Sequence, residues 1–112
     1  GLRNNQPISH VDIYPSLCDF AGIPKPGHLE GRSILPLLED QASTREAAFL
    51  SYGPENTAVQ SERYRYLRYE DGSEELYDHK KDPHEWTNQS KNPKYQVITK
   101  KMRAQAVGFQ ER

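Results

Sequence analysis

An apolar helical pattern near the N-terminus restricts the fold of this sequence more than any other feature. Four apolar residues recur at helical spacing: Ile13, Leu17, Phe20 and Ala21. Their spacing predicts a helix over about residues 12–22 with these side chains on its buried face. Ser9 or Asp12 can cap its start, and Gly22 can end it. Residues 1–7 offer little surface to cover such a face, so we expect the chain to be the tail of a larger protein.

A second apolar cluster follows a loop rich in proline and glycine. It predicts a short helix over about residues 33–39 that buries Ile34, Leu35, Leu37 and Leu38. Residues 39–46 are polar and predict a linker. We therefore expect an organisational boundary there, dividing the chain into residues 1–45 and residues 46–112.

The second part carries the signals of an antiparallel sheet. Apolar, aromatic and β-branched runs predict strands at about residues 47–52, 57–60, 63–69 and 74–78. Short turns join them, with Gly53–Pro54 and Asp71–Gly72 as the clearest signals. A last helix is predicted over about residues 93–106, with one side formed by Tyr95, Ile98, Met102 and Gln105. The expected fold class is α+β: a helical segment, then a four-stranded antiparallel sheet with a C-terminal helix packed on it.

The composition argues against several classes of function. Fifteen Lys and Arg against sixteen Asp and Glu give a net charge of −1, which offers no field for nucleic acid or an anionic membrane. No apolar run reaches the roughly 18 to 20 residues of a membrane span. The single cysteine, Cys18, excludes an internal disulfide. We expect neither a nucleic-acid partner nor a membrane partner.

Several residues resemble fragments of chemical sites, and structural roles explain them better. His10 and Asp12 are only two potential metal ligands, and Asp12 suits a helix cap. Cys18 has no basic neighbour in sequence that would activate it, so we expect an inert thiol that is buried or half-buried. We expect no catalytic and no metal-binding residue in this chain.

A polar cluster follows the last predicted strand: Asp78, His79, Asp82, His84 and Glu85. It could form a metal or acid–base site, but it also suits an exposed polar turn, which we favour. Trp86 in this turn is predicted to plug the junction between sheet and helix, with ligand stacking as the alternative.

Basic and aromatic residues interleave along residues 63–69, as they do in some strands that bind single-stranded nucleic acid. Strand alternation places Tyr64, Tyr66 and Arg68 on one face. Neighbouring carboxylates would repel a polyanion and could form cross-strand ion pairs instead. A structural strand is the favoured interpretation, and a nucleic-acid surface using Tyr64 and Tyr66 is the weaker one.

Four blocks of the sequence, in order, resemble motifs of one enzyme family. Residues 9–38 resemble "VDxxPTLxDLAGIxxP…xxGxSLxPLL", residues 62–69 resemble the strand "xxxYKYI", and residues 75–78 with 82–88 resemble "ELYDLxxDPxExxNL". These are motifs of the type I, formylglycine-dependent sulfatases of the alkaline-phosphatase-like superfamily. The form Asp-Pro-His-Glu-Trp at residues 82–86 is most similar to the iduronate-2-sulfatase-like branch.

The resemblance implies a C-terminal fragment of a sulfatase. Residues 1–45 would then be the tail of the α/β catalytic domain, and residues 46–112 the C-terminal subdomain. The expected partners are the missing catalytic domain and, for the parent, a sulfated carbohydrate. Calcium and formylglycine would belong to the parent's N-terminal part, because no Cys/Ser-x-Pro-x-Arg motif occurs here and Cys18 is followed by Asp-Phe-Ala.

The same resemblance suggests further expectations. His84 and Trp86 are the candidate contacts at the rim of the substrate pocket. The parent would be exported, and the fragment alone would be inactive and could oligomerise through its exposed N-terminal helix. The alternative is a free-standing protein-interaction module built on the antiparallel sheet.

Overall fold

Two compact units make up the chain. In this computed structural model, which describes residues 1, 3–40 and 43–111, the units are Gly1–Ala47 and Ala48–Arg112. The first contains helices α1 (Ile13–Ala21) and α2 (Leu35–Glu39). The second contains strands β1 (Ala48–Tyr52), β2 (Asn56–Gln60), β3 (Tyr64–Arg68) and β4 (Glu74–Asp78), then helix α3 (Gln96–Gln110). The predicted α+β class, with a four-stranded antiparallel sheet, is confirmed.

Local chemistry sets both ends of α1. A 3₁₀ turn at His10–Asp12 leads into the helix, and the Ser9 N–H donates to the Asp12 carboxylate at 2.8 Å. Gly22 adopts a left-handed conformation with φ of 66°, and the Ile23 N–H after it donates to the Cys18 carbonyl at 3.0 Å. This arrangement satisfies the last carbonyls of the helix. Gly22 therefore ends the helix as predicted.

The face of α1 that is buried within this chain differs from the predicted one. Its buried residues are Pro15, Ser16 and Cys18, whereas Ile13, Leu17 and Phe20 are 52%, 60% and 55% exposed. Ala21 is exposed as well. Hydrogen bonds of Ser16 explain which side of α1 is buried. The Ser16 hydroxyl donates to the Asp12 carbonyl and accepts the Ile34 N–H at 2.9 Å, so this side of the helix faces the interior of the unit.

The segment before α2 lies directly against the start of α1. A Cβ atom at Gly31 would lie 1.9 Å from the Val11 carbonyl oxygen, so no other residue fits this position. The close approach brings the Arg32 N–H to 2.9 Å from the Asp12 carboxylate. Glycine is thus required where the two backbones meet.

A buried ion pair lies at the centre of the first unit. Asp12 and Arg45 are 5% and 8% exposed, and their Oδ2 and Nη1 atoms are 2.5 Å apart. Arg45 also donates to the carbonyls of Arg32 and Ser33, each at 3.2 Å. Burial raises the pKa of the Asp12 carboxyl. The hydrogen bonds from the Arg32 and Ser9 N–H groups and the charge of Arg45 lower this pKa by more, so the net shift is downward.

The short helix α2 buries less than its sequence predicts. Leu37 is buried, Ile34 and Leu35 are half-buried, and Leu38 is 49% exposed. A helix of five residues turns only one of its sides toward the unit, so the four apolar side chains of this segment cannot all be covered.

The second unit is an antiparallel meander with α3 on one face. The strand order is β1-β2-β3-β4, and Tyr66 lies opposite both Val59 and Leu76. These three side chains are fully buried, together with Met102 and Ala106 of α3. The predicted alternation of β3 is confirmed, since Tyr66 lies in the core that β3 shares with α3.

Helix α3 begins and ends later in the sequence than predicted, after a 3₁₀ turn at Pro93–Tyr95, and a neighbouring side of it is buried. Its buried residues are Thr99, Met102 and Ala106, whereas Tyr95, Ile98 and Gln105 of the predicted side are half-buried. The helix continues to Gln110, where Phe109 stacks on Phe49 of β1 with ring centres 4.8 Å apart. Tertiary contact supports a last turn that local signals do not predict. Among the described residues, no helix combines the length and apolarity needed to cross a membrane.

Candidate functional site

The loop between β4 and α3 (residues 79–92, hereafter the β4–α3 loop) is held at its start by a buried carboxylate. Asp78 is 1% exposed. Arg63 donates to it through Nε at 2.8 Å and Nη2 at 2.7 Å, and the Tyr95 hydroxyl donates to it at 3.0 Å. The loop therefore leaves the sheet from a fixed position.

Acidification is expected to weaken this attachment. The Arg63 hydrogen bonds hold the pKa of Asp78 at about 2, below its ordinary value of 3.8. A carboxyl group whose pKa is lower in the folded state than in the unfolded state stabilises the fold at pH values above the unfolded-state pKa. This contribution is lost as the pH falls through the folded-state pKa. The stability advantage of wild type over Asp78→Asn should shrink by about 1–2 kcal/mol between roughly pH 5 and pH 2, a figure discounted because Arg63 is partly exposed. Urea denaturation at each pH measures the difference, and a constant difference would contradict the assignment.

The middle of the loop is shaped by Asp82. Its carboxylate accepts the backbone N–H of Trp86 at 3.0 Å and that of Thr87 at 2.9 Å. A side-chain acceptor for two successive N–H groups fixes a tight turn without help from a helix or strand. The segment from Asp82 to Thr87 is therefore an ordered turn.

Glu85 has the most unusual backbone in this loop. Its φ is 57°, and it is the only non-glycine residue with positive φ among those the structure describes. Its carboxylate contacts Arg65 Nη1 of β3 at 3.1 Å and His79 Nε2 at 2.7 Å. These contacts connect the tip of the loop to the sheet.

The two predicted rim residues lie together at this tip. The rings of His84 and Trp86 stack with centres 5.2 Å apart and planes 24° apart. His84 is exposed, and Trp86 is 83% exposed. The prediction that Trp86 plugs the sheet–helix junction is wrong, because Tyr66, Leu76 and Met102 already fill that core. The indole instead lies largely exposed beside the His84 ring.

The far end of the loop covers the edge of β4. The Leu76 N–H donates to the Asn88 side chain at 3.0 Å, and the Gln89 N–H donates to the Leu76 carbonyl at 2.8 Å. The Ser90 hydroxyl donates to the Glu74 carbonyl at 3.0 Å. The loop is therefore fixed at both ends, and pairing satisfies backbone groups that an edge strand would otherwise expose.

The other candidate residues have structural roles. Cys18 is 1% exposed, as expected for an inert thiol. Among residues 1, 3–40 and 43–111, no group of three or more His, Cys, Asp or Glu side chains is placed to hold a metal ion. Tyr66 is fully buried, so it cannot stack on a base, and the interpretation of Tyr64 and Tyr66 as a nucleic-acid surface fails. Sequence reasoning missed Arg65 and Glu85 as partners, since residues 20 positions apart give no local signal.

Comparisons with known proteins agree with these features. A family described as "N-sulphoglucosamine sulphohydrolase, C-terminal" matches residues 1–112. A sulfatase of Formosa agariphila is 32% identical over 93% of this chain and 21% of its own length. A Delta 4,5-hexuronate-2-O-sulfatase of Bacteroides thetaiotaomicron is 35% identical over 91% of this chain and 24% of its own. A structure solved in complex with its substrate D-glucosamine-2-N,6-O-disulfate superposes with a TM-score of 0.73 at 26% identity, covering 89% of this chain and 23% of that one.

The chain thus spans about a fifth to a quarter of the length of the proteins it matches. The family match runs through both units and through the β4–α3 loop. The chain belongs to the sulfatase C-terminal family described as N-sulphoglucosamine sulphohydrolase, C-terminal.

Proposed function

We propose that this chain is the C-terminal part of a sulfatase whose catalytic residues lie outside it, and that the parent hydrolyses sulfate esters of a sulfated carbohydrate. The observation that carries the proposal is a family match over residues 1–112 combined with coverage of only 21% and 24% of two sulfatase relatives. The iduronate-2-sulfatase-like branch and export of the parent belong to the same proposal. Within it, residues 1–45 end the catalytic domain and residues 46–112 form the C-terminal subdomain.

The reaction chemistry belongs to the parent. Sulfatases of this type use a formylglycine nucleophile and a calcium ion, and we place both in the part of the parent outside this chain. The formylglycine motif is absent from these 112 residues, and the described residues contain no metal-ligand cluster. This chain's own contribution is structural support and substrate contact.

Structural support falls to the exposed side of α1, whose apolar residues follow helical spacing: Ile13, Leu17 and Phe20. Each is more than half exposed, as are Ile8, Val11 and Tyr14 in the same part of the sequence. We assign this surface to the remainder of the parent, which accounts for more than three quarters of each relative's length. Exposed apolar side chains grouped on one side of a helix are typical of an interface. The competing occupant of this surface is a second copy of the chain, which would bind through the same helix.

Substrate contact falls to His84 and Trp86. The exposed indole face can pack on the C–H face of a pyranose ring, while its polar edge stays in water. The His84 imidazole can donate a hydrogen bond to a hydroxyl or sulfate oxygen. Two such groups at the tip of a fixed loop suit the rim of a carbohydrate pocket.

The test uses the full-length protein that contains this chain. It is expected to release sulfate from disulfated glucosamine or a sulfated uronate disaccharide. Trp86→Ala should raise KM roughly three- to tenfold with kcat little changed, because an aromatic contact contributes about 0.5–1.5 kcal/mol. Tyr52→Ala is the matched control, since Tyr52 is 84% exposed on a different element. A folded full-length protein that releases no sulfate from such substrates contradicts the proposed activity, and an unchanged KM contradicts the rim contact.

A further inference from the structure

We propose that Glu85 is a positioning residue that holds His84 and Trp86 stacked as a preformed surface for a sugar ring. This inference rests on the proposed substrate contact of those two side chains. It adds the group that sets their geometry, and it assigns Arg65 and His79 as the partners through which Glu85 acts.

The backbone of Glu85 is the first argument. A left-handed conformation is strained for an L-residue with a Cβ atom, and glycine avoids that strain. At Gly22, Gly53 and Gly72, where φ is also positive, the sequence has glycine. Glutamate at φ 57° therefore indicates that its side chain does something glycine cannot. Strain of this kind concentrates at binding and catalytic sites.

The contacts of the carboxylate are the second argument. Arg65 Nη1 lies 3.2 Å from Oε1 and 3.1 Å from Oε2, so one guanidinium nitrogen contacts both oxygens. His79 Nε2 lies 2.7 Å from Oε1. The Glu85 side chain is 24% exposed, those of Arg65 and His79 39% and 29%. The ion pair between Arg65 and Glu85 is therefore partly shielded from water, and salt screens it less than a fully exposed pair.

We call the Glu85 carboxylate with its partners Arg65 and His79 the Glu85 clamp. The position of this clamp explains its effect on the stacked rings. Glu85 lies between His84 and Trp86 in sequence, and its partners lie in β3 and directly after β4. Its contacts with Arg65 and His79 therefore fix the loop tip relative to the sheet. Ordering the two rings before a ligand binds removes an entropy cost that binding would otherwise carry.

Removal of the clamp leaves the turn itself in place. The Asp82 carboxylate still accepts the N–H groups of Trp86 and Thr87, and Asp78 still attaches the loop to Arg63. A variant at Glu85 thus tests the orientation of the two rings rather than folding of the chain.

The first experiment is NMR and fluorescence on the 112-residue chain, in which Trp86 is the only tryptophan. Wild type should show nuclear Overhauser effects between the His84 and Trp86 rings. Glu85→Ala should lose them and lower the fluorescence anisotropy of Trp86, while sheet amides keep their chemical shifts. Glu85→Gly should lose them too but be more stable than Glu85→Ala, because glycine relieves the backbone strain. Glu70→Ala, which removes an exposed carboxylate from the β3–β4 turn, is the matched control and should change nothing.

Retention of the ring contacts in both Glu85 variants overturns the proposal. That outcome is independent of the parent's activity, so it is distinguishable from failure of the proposed function. In the full-length protein, Glu85→Ala should raise KM for the sulfated sugar by about as much as Trp86→Ala, with no further rise in the double variant. Additive effects on KM would show that Glu85 does not act through Trp86.

Discussion

Replacing Gly31 with alanine is expected to disrupt the first unit, Gly1–Ala47. The new Cβ would lie 1.9 Å from the Val11 carbonyl oxygen, 2.4 Å from its carbon and 2.9 Å from the Asp12 nitrogen. All three are backbone atoms, so no side-chain movement relieves the overlap. The two segments would have to separate, and the Arg32 N–H bond to the Asp12 carboxylate would break. We expect a loss of about 3 kcal/mol or more.

The control for this variant is Gly27→Ala. A Cβ at Gly27 meets nothing within 4 Å, and Gly27 is not among the glycines with positive φ. This change should be neutral or slightly stabilising. Chemical denaturation followed by NMR signals of the first unit measures both variants. Equal stability of the two would show that the close contact of the backbones is not required.

Replacing Asp12 with asparagine is the other change with a large expected effect. It keeps the size of the side chain but leaves the buried Arg45 guanidinium without a negative partner, and it turns one acceptor into a donor that faces N–H groups. Breaking a buried ion pair on one side costs about 3–5 kcal/mol. Because the pKa of Asp12 is lowered in the folded state, its contribution is present above the ordinary value and is lost as the pH falls below it.

Asp19→Asn offers the same substitution at an exposed pair. Asp19 contacts Lys25 at 3.0 Å, and the two side chains are 26% and 46% exposed. Such a surface pair contributes little to stability, because water and salt screen it. Denaturation midpoints of the two variants at neutral pH separate the burial effect from the chemistry of the substitution. If Asp12→Asn is no more destabilising than Asp19→Asn, the buried pair does not stabilise the first unit.

Sequence reasoning was most successful for the sheet. Strand alternation around Tyr66 and the turn at Asp71–Gly72 act over a few residues, so they are visible in the sequence itself. The four antiparallel strands follow from these signals and are confirmed. The family resemblance rested on ordered blocks of the same kind, and the match over residues 1–112 confirms it.

Side-chain burial was harder to predict. Helical spacing correctly placed Ile13, Leu17 and Phe20 together on one side of α1, yet within this chain that side is exposed. Periodicity identifies an apolar face but says nothing about where its partner is. The prediction that Trp86 is buried was wrong for a related reason, because residues distant in sequence occupy the space that it was expected to fill.

The amino-acid sequence by itself determined the order of helices and strands, the turns between them and the sulfatase family, because each depends on short-range spacing of residue types. Only the tertiary structure decided that Gly31 touches the Val11 backbone, that Asp12 pairs with Arg45, and that Glu85 reaches Arg65 across 20 positions of sequence. Those contacts depend on distances between segments far apart in the chain. The stacked rings of His84 and Trp86 combine both levels: residue identity supplies the chemistry, and the contacts of the fold orient it.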